Sequence, residues 1–353
     1  MVRLLAFSML CLSCAAPKEA ERPAAPVAAP APVAPPDAGP PAPPPLPKLG
    51  AVLALPLQPA HPAPVEAVAA ATAEKAELGY RLFFDPRLSK DGSMACAACH
   101  PPSKGWASSE KLDAKVGGAL NVRNTPSVVG LAAHSTFYWD GRKPTLASVC
   151  EAAWKGQLGA DPATVAAALN QDGVTRAFFQ RAFQSDATAA NVPEALAAFL
   201  LTLNSGNAPF DHFEAGDKAA ISAEAKKGWE LFKSKGCVTC HVPPLFTDLG
   251  FHQALAPGKD EGRKDATKDE ADLGKFKTPS LRMAALTPPY FHDGSAATLT
   301  EAVEMMAAAK GKDEKLKAQK LSPKDVKAIV AFLESLTGQA TYTEAPPPVQ
   351  FAE

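Results

Sequence analysis

The sequence predicts a mainly α-helical body built from two copies of one domain, and three observations carry that expectation. Apolar residues recur at helical spacing in the segments beyond residue 71, and no strand-rich region is present. The run Cys96-Ala97-Ala98-Cys99-His100 also returns as Cys237-Val238-Thr239-Cys240-His241. The duplication reaches well past that run. Leu78-Gly79-Tyr80-Arg81-Leu82-Phe83 resembles Lys227-Gly228-Trp229-Glu230-Leu231-Phe232, and Thr125-Pro126-Ser127 recurs as Thr278-Pro279-Ser280. Fifteen residues after each threonine comes Asp-Gly, as Asp140-Gly141 and Asp293-Gly294, and then Thr145-Leu146 and Thr298-Leu299 at equal spacing. Agreement at so many fixed offsets makes two homologous domains.

Taken in order, the chain opens with Met1-Val2-Arg3 and an apolar run from Leu4 to Leu10, too short to span a bilayer. The run ends at Leu12-Ser13-Cys14-Ala15, which fits a bacterial lipoprotein cleavage site with Cys14 as the lipid-bearing residue. Cys11 stands where an aliphatic residue is usual, and plain secretion is the alternative. Residues 1–14 are therefore read as a signal peptide and 15–65 as a Pro/Ala-rich linker, since 17 of the 35 prolines fall within the first 65 residues. Such a segment favours extended polyproline structure, a semi-rigid spacer rising about 3.1 Å per residue. The N-terminal domain is expected over residues 66–205, the C-terminal domain over 206–340, and a tail over 341–353.

Within the body, residues 71–84 read as a helix that Asp85-Pro86 stops. A polar loop follows the first cysteine motif to Arg123. Helical stretches are expected over 162–183 and 192–203, with a junction around Asn204-Ser205-Gly206-Asn207-Ala208-Pro209. The second domain opens with a helix over 222–233. A mixed-charge stretch from Gly258 to Gly274 reads as a solvated loop. The last helix has Ser322 as N-cap, Pro323 at its first position and Gly338 as its stop. A net charge of −1 argues against nucleic acid as a partner.

A C-x-x-C-H run is the attachment signature of a c-type haem. Two thiols three positions apart reach the two vinyl groups of one porphyrin, and the adjacent imidazole faces the iron as proximal ligand. Half a zinc site or a thioredoxin-like dithiol could also use C-x-x-C. Zinc would need a further Cys or His pair near each copy, and none is there. A dithiol would not need His after the second Cys in both copies. The prediction is two covalent haem groups, held by Cys96, Cys99 and His100 and by Cys237, Cys240 and His241, in two cytochrome c-like domains. Cys150 reads as a small buried apolar thiol.

The two halves differ chemically at matching positions. Met305 and Met306 follow Thr298-Leu299 on a predicted helix, and a thioether there can take the sixth iron position opposite His241, raising that haem's potential. A helical methionine can equally be core. At the position of Met306 the first half has Ala153, which cannot bind iron, so the first site is expected to stay open to a small molecule. Trp139 stands where the second half has His292; it reads as an electron relay between the domains or as a buried anchor.

Over residues 71–338 the chain resembles the bacterial di-haem cytochrome c peroxidases, a family that extends to the MauG-like enzymes. The motifs are Leu82 to Ser89, Arg123-Asn124-Thr125-Pro126, Trp139-Asp140-Gly141-Arg142, Phe276 to Arg282, and Pro289-Tyr290-Phe291-His292-Asp293-Gly294. The resemblance implies a peroxidatic haem at His100 and a His/Met electron-accepting haem at His241 and Met306. MauG-like enzymes carry tyrosine where Met306 stands, which favours the peroxidase branch. Trp139 matches the tryptophan between the haems. An interdomain calcium, held partly by backbone oxygens, maps to Asn124, Thr287 and Pro289. Two departures stand out. No histidine lies between His100 and His134 to cap the resting first haem. Val149 and Gly159 occupy the positions of the family's proton-moving Gln and Glu, for which Glu151 or Gln157 could substitute.

The resemblance implies a periplasmic peroxidase that takes electrons from a small soluble cytochrome c or cupredoxin and reduces hydrogen peroxide at the His100 haem. A homodimer and a lipid anchor at Cys14 belong to the same expectation. The alternatives are a di-haem oxidase or oxygenase of the same superfamily, favoured by Val149 and Gly159, and a non-enzymatic electron-transfer or sensor cytochrome.

Overall fold

The computed structural model describes residues 72–255, 258–308 and 310–347. The expected signal peptide, linker and Cys14 lie outside the described residues. The first lobe holds helices α1 (Ala73–Phe83), α2 (Leu146–Gly156), α3 (Pro162–Leu169), α4 (Gly173–Phe183) and α5 (Asn191–Thr202). In the second lie α6 (Pro209–Glu214), α7 (Ala223–Ser234), α8 (Lys264–Thr267), α9 (Leu299–Ala308) and α10 (Pro323–Glu334). Among the described residues, strand is confined to two antiparallel two-residue pairs. One joins β1 (Ser205–Gly206) to β4 (Gln339–Ala340), the other β2 (Phe251–His252) to β3 (Phe276–Lys277). The body is mainly α, as the sequence predicts.

In each lobe the helix just before the cysteine motif crosses the last helix at a glycine. A Cβ on Gly79 would lie 1.9 Å from the Ala195 carbonyl oxygen, and one on Gly228 1.9 Å from that of Ala328. Backbones approach that closely only where a side chain is absent. The repeated glycine is therefore a pair of helix crossings, α1 on α5 and α7 on α10. Around the first pack Leu78, Leu82, Phe83 and Phe199; around the second, Phe210, Phe232, Ile329 and Phe332. Burying each such side chain is worth roughly 1.5–3 kcal/mol.

The duplication is visible in the backbone. Tyr138 and Phe291, at matching positions, both have positive φ (66° and 70°), and the bridges Phe137–Lys143 and Tyr290–Ala296 flank them equivalently. These two turns place Trp139 and His292.

Several expectations change in detail. The helix expected over 162–183 is two helices, because Asn170 caps α3 and the Asp172 carboxylate accepts from Val174 N (3.1 Å) to start α4. Ser322 is the N-cap of α10 as expected, in a capping box with Asp325. Gly338 is not its stop, since α10 ends at Glu334; a Cβ on Gly338 would sit 2.2 Å from Gly206 O, so the glycine lets β4 pass β1. The tail is no appendage as far as it is described. Tyr342 is 6% exposed, packs on Tyr80 and Phe199, and its carbonyl accepts from Trp106 Nε1 (3.2 Å).

Residues 258–274 are not simply a solvated loop. Asp260 accepts two 2.7 Å hydrogen bonds from Arg123 of the first lobe, and Arg263 Nη1 donates to Asp140 O (3.1 Å). The stretch clasps the two lobes together.

Candidate haem sites and the relay between them

Both proximal histidines are aimed by the same device. His100 Nδ1 lies 3.0 Å from Trp106 O, and His241 Nδ1 lies 3.0 Å from Phe246 O. Trp106 and Phe246 have φ of 59° and 55°, a left-handed conformation uncommon for aromatic residues, and it turns each carbonyl toward the ring. The serine of each Thr-Pro-Ser steadies the neighbouring loop: Ser127 Oγ donates to Gly105 O (2.7 Å) and Ser280 Oγ to Leu245 O (2.6 Å). With Nδ1 donating to a carbonyl, Nε2 is left as the free ligand atom. Burial lowers the pKa of both imidazoles and keeps them neutral, the form that binds a metal. Trp106 lies six residues after His100 and Phe246 five after His241, so aligning the halves at the histidines does not pair them, and the carbonyl contact itself has no sequence signal.

In the second lobe a cavity of about 570 Å³ opens beside Cys237, Cys240 and His241, with Leu299, Val303 and Met306 from α9 on its wall. Met305 instead faces a separate cleft lined by Glu301 and Glu304. The structure thus separates the two methionines: only Met306 shares a cavity with His241. Cysteine pair, free Nε2, apolar wall and thioether together fit a haem c.

In the first lobe, Leu146, Cys150, Ala153 and Trp154 of α2 share one helical face with the C-cap residue Gln157. Cys150 lies close enough to Cys96 to feel its charge, and burial pushes both thiols up, Cys96 to about 12. That face therefore looks onto the cysteine motif. Gln157 Oε1 is buried without a hydrogen-bond partner. An orphaned buried carbonyl costs about 1–3 kcal/mol unless something fills the space beside it, so this lobe too fits a missing group. Gln157 is the C-cap residue of α2, one helical turn beyond the small Ala153, whose carbonyl accepts from Gln157 N (2.7 Å).

Glu151 is a correction. It lies on a different face of α2, half exposed, with Lys155 Nζ at 2.5 Å, and that ion pair holds its pKa below the usual carboxylate range. It is not placed to move protons beside Ala153.

Trp139 stands between the lobes and lines the same cavity as His241. Its Nε1 donates to Asn124 O (2.9 Å), Asn124 N donates to His292 O (2.7 Å), and Lys277 N donates to Trp139 O (2.8 Å). His292 stacks on Phe276 with ring centroids 3.7 Å apart. Below the indole, Asp140 is 2% exposed; burial would raise its pKa, but Arg123 and Arg142 outweigh that and hold it ionised. Asn124, Thr287 and Pro289 line this cavity as well. The Asn124 Nδ2 donates to Glu110 O (3.0 Å), which turns Oδ1 the other way.

Two titratable groups escaped the sequence reading. His252 is held between Asp248 (2.8 Å) and Asp313 (2.7 Å); the Cys240 sulfur and these carboxylates raise its pKa to about 10. Lys277 is buried beside Trp139 and donates to Thr136 O, and burial lowers its pKa to about 8. Neither lies in a spacing pattern; Asp313 is far along the chain from His252.

Residues 73–219 match the family model for di-haem cytochrome c peroxidase, and residues 225–337 the model for cytochrome c. The chain is 38% identical to the methylamine utilization protein MauG of Methylophilus methylotrophus over 291 residues, covering 78% of this chain and 86% of the relative. It is 36% identical to the cytochrome c551 peroxidase of Nitrosomonas europaea over 292 residues, covering 78% and 83%. Among solved structures it is similar to a MauG-like protein associated with microbial copper homeostasis, with TM-score 0.72, 28% identity, and coverage of 81% and 95%.

Proposed function

We propose a peroxidase cycle for this chain, which belongs to the di-haem cytochrome c peroxidase family. It is an oxidoreductase with two covalently bound haem c groups, one on each cysteine motif. The proposed reaction takes hydrogen peroxide, two electrons and two protons to two waters at the first site. Electrons come singly from a small soluble redox protein at the second site and cross by way of Trp139. Haem supplies the electron exchange with peroxide in the first lobe and a His/Met electron store in the second. Everything else falls to the chain. Cys96, Cys99 and His100 hold the first group; Cys237, Cys240, His241 and Met306 hold the second. Gln157, not Glu151, is the polar group that orients peroxide opposite His100. Asn124, Thr287 and Pro289 hold a calcium ion at the junction.

The observation that carries this reading is the asymmetry at one repeated position. Met306 lines the cavity with His241, whereas its counterpart Ala153 carries no atom that can bind iron, and Gln157 Oε1, four residues further on, is buried without a partner. The ferric protein should give one high-spin and one low-spin EPR signal, with turnover of peroxide against a reduced cytochrome. Two low-spin signals that peroxide leaves unchanged would refute the open first site.

Val149 and Gly159 support a second reading, an oxidase or oxygenase of the same superfamily acting on another substrate. Negligible peroxide turnover with an intact high-spin signal would select it. No helix among the described residues is long and apolar enough to cross a membrane. Export to the periplasm, with Cys14 lipidated, is the proposed location, tested by membrane release of a Cys14→Ser variant.

A further inference from the structure

We propose that the segment 310–320 is a docking rim for an acidic electron-donor protein at the second haem. This rests on the reading that electrons enter there. Its eleven residues carry Lys310, Lys312, Lys315, Lys317 and Lys320 against Asp313 and Glu314, a formal +3 in a chain whose total is −1. Asp313 is already engaged by His252 (2.7 Å). All five lysines are exposed, and among the described residues none of them makes an ion pair. The positive charge is therefore directed outward.

Its placement ties it to the haem. Lys315 and Lys317 reach the wall of the cavity that contains His241 and Met306. Lys235, two residues before Cys237, lines the same cavity and donates from Nζ to Lys320 O (3.4 Å). The segment is also fixed rather than trailing. Gly311 N donates to Ala254 O (3.2 Å), Lys312 N to Gln253 Oε1 (3.1 Å), and Gln319 N to Ala307 O (2.8 Å). A Cβ on Gly311 would meet Gln253 O at 1.6 Å, so that contact requires glycine. Beside the motif, Val242 is 42% exposed and offers an apolar contact next to His241. An apolar centre with a charged rim is the layout of a transient protein interface.

A patch of this sign attracts an acidic partner and repels a basic one. Steering of this kind raises association rates by about 10–10³-fold and fades as salt shortens the Debye length from about 30 Å at 0.01 M to about 8 Å at 0.15 M. Each encounter passes one electron: the donor is oxidised by one unit, the second haem iron is reduced by one, and no bond forms or breaks.

The test uses the purified holoprotein and two probes: a basic reduced monohaem cytochrome c, and the same cytochrome with its lysines succinylated, which inverts its charge. Anaerobic stopped-flow mixing follows reduction of the low-spin haem directly, with no peroxide present, so the result stands even if peroxide turnover fails. At low salt the succinylated donor should react at least about tenfold faster than the basic one, and the gap should close at high salt. Lys312→Glu/Lys320→Glu should reverse that preference while leaving the haem spectrum and reduction by ascorbate unchanged. Should that variant fail to fold, Lys312→Gln/Lys320→Gln should give an intermediate loss. Equal rates for the two donors, preference for the basic one, or no response to either double variant overturns the proposal. Electrons appearing first at the high-spin haem would instead overturn the assignment of the second haem as the acceptor.

Discussion

Replacing Gly228 by alanine should destabilise the second lobe by about 3 kcal/mol, and the distances say why. The new methyl would lie 1.9 Å from Ala328 O, 2.5 Å from its carbonyl carbon and 2.9 Å from Phe332 Cβ. Two of those three neighbours are backbone, so rotamer changes cannot relieve the clash, and α7 must move off α10 by about 1 Å or more. A gap of that size forfeits roughly a quarter to a half of each dispersion contact it opens. The contacts at stake include Phe332 against Trp229 and against Phe232, both with centroids 5.1 Å apart. Alanine's better helix propensity returns at most about 1 kcal/mol. Gly156, on α2, is the control: nothing lies within 4 Å of its Cβ, so Gly156→Ala should be neutral or stabilising. Urea titration of the holoprotein, followed by far-UV circular dichroism, measures both. A Gly228→Ala midpoint indistinguishable from that of Gly156→Ala would refute the crossing argument.

The remaining expectations concern the sites. Met306→Leu should drop the second haem's potential by a substantial part of the roughly 0.8 V range that axial ligands span, read by spectroelectrochemistry, with the low-spin EPR signal lost; an unchanged potential would remove Met306 as a ligand. Ala153→Met should close the first site, converting its high-spin signal to low-spin and abolishing peroxide turnover, while Met306 chemistry is untouched. Gln157→Leu should slow the reaction with peroxide by about 10²-fold, the scale of losing one oriented hydrogen bond; Glu151→Gln should leave it unchanged, and the reverse pattern would restore Glu151 to the site. Lys277 has its pKa lowered to about 8 on folding, so between that pH and about 10.5 the unfolded chain binds the extra proton and stability rises with pH. The gain, about 2–3 kcal/mol, should vanish in Lys277→Met, compared by urea midpoints at pH 7.5 and 10.

Much of this protein is legible in one dimension because it is written twice. The cysteine motifs, the Gly79/Gly228 pair and the Thr-Pro-Ser runs each mark a position that the fold uses identically in both lobes. The contrast of Ala153 with Met306 follows from the same register. Local chemistry was equally readable: Ser322 caps α10 because a side-chain oxygen three residues before Asp325 needs no distant partner. Legibility stopped where a residue's role depends on something far along the chain. Glu151 on α2 and Gln157 at its C-cap lie six positions apart, and only packing decides that one meets solvent and Lys155 while the other's Oε1 is buried without a partner. The charged run 258–274 has the composition of a solvated loop, yet Asp260 and Arg263 join the lobes because the first lobe presents Arg123 and Asp140 to them. Which of two adjacent methionines shares the cavity of His241 was likewise settled by the orientation of α9. The sequence determined the cofactor and the duplicated helical fold, since those depend on residue types at short fixed spacings. The tertiary structure decided which groups stand at each site, since that depends on which helical faces the two cores leave turned toward the cysteines.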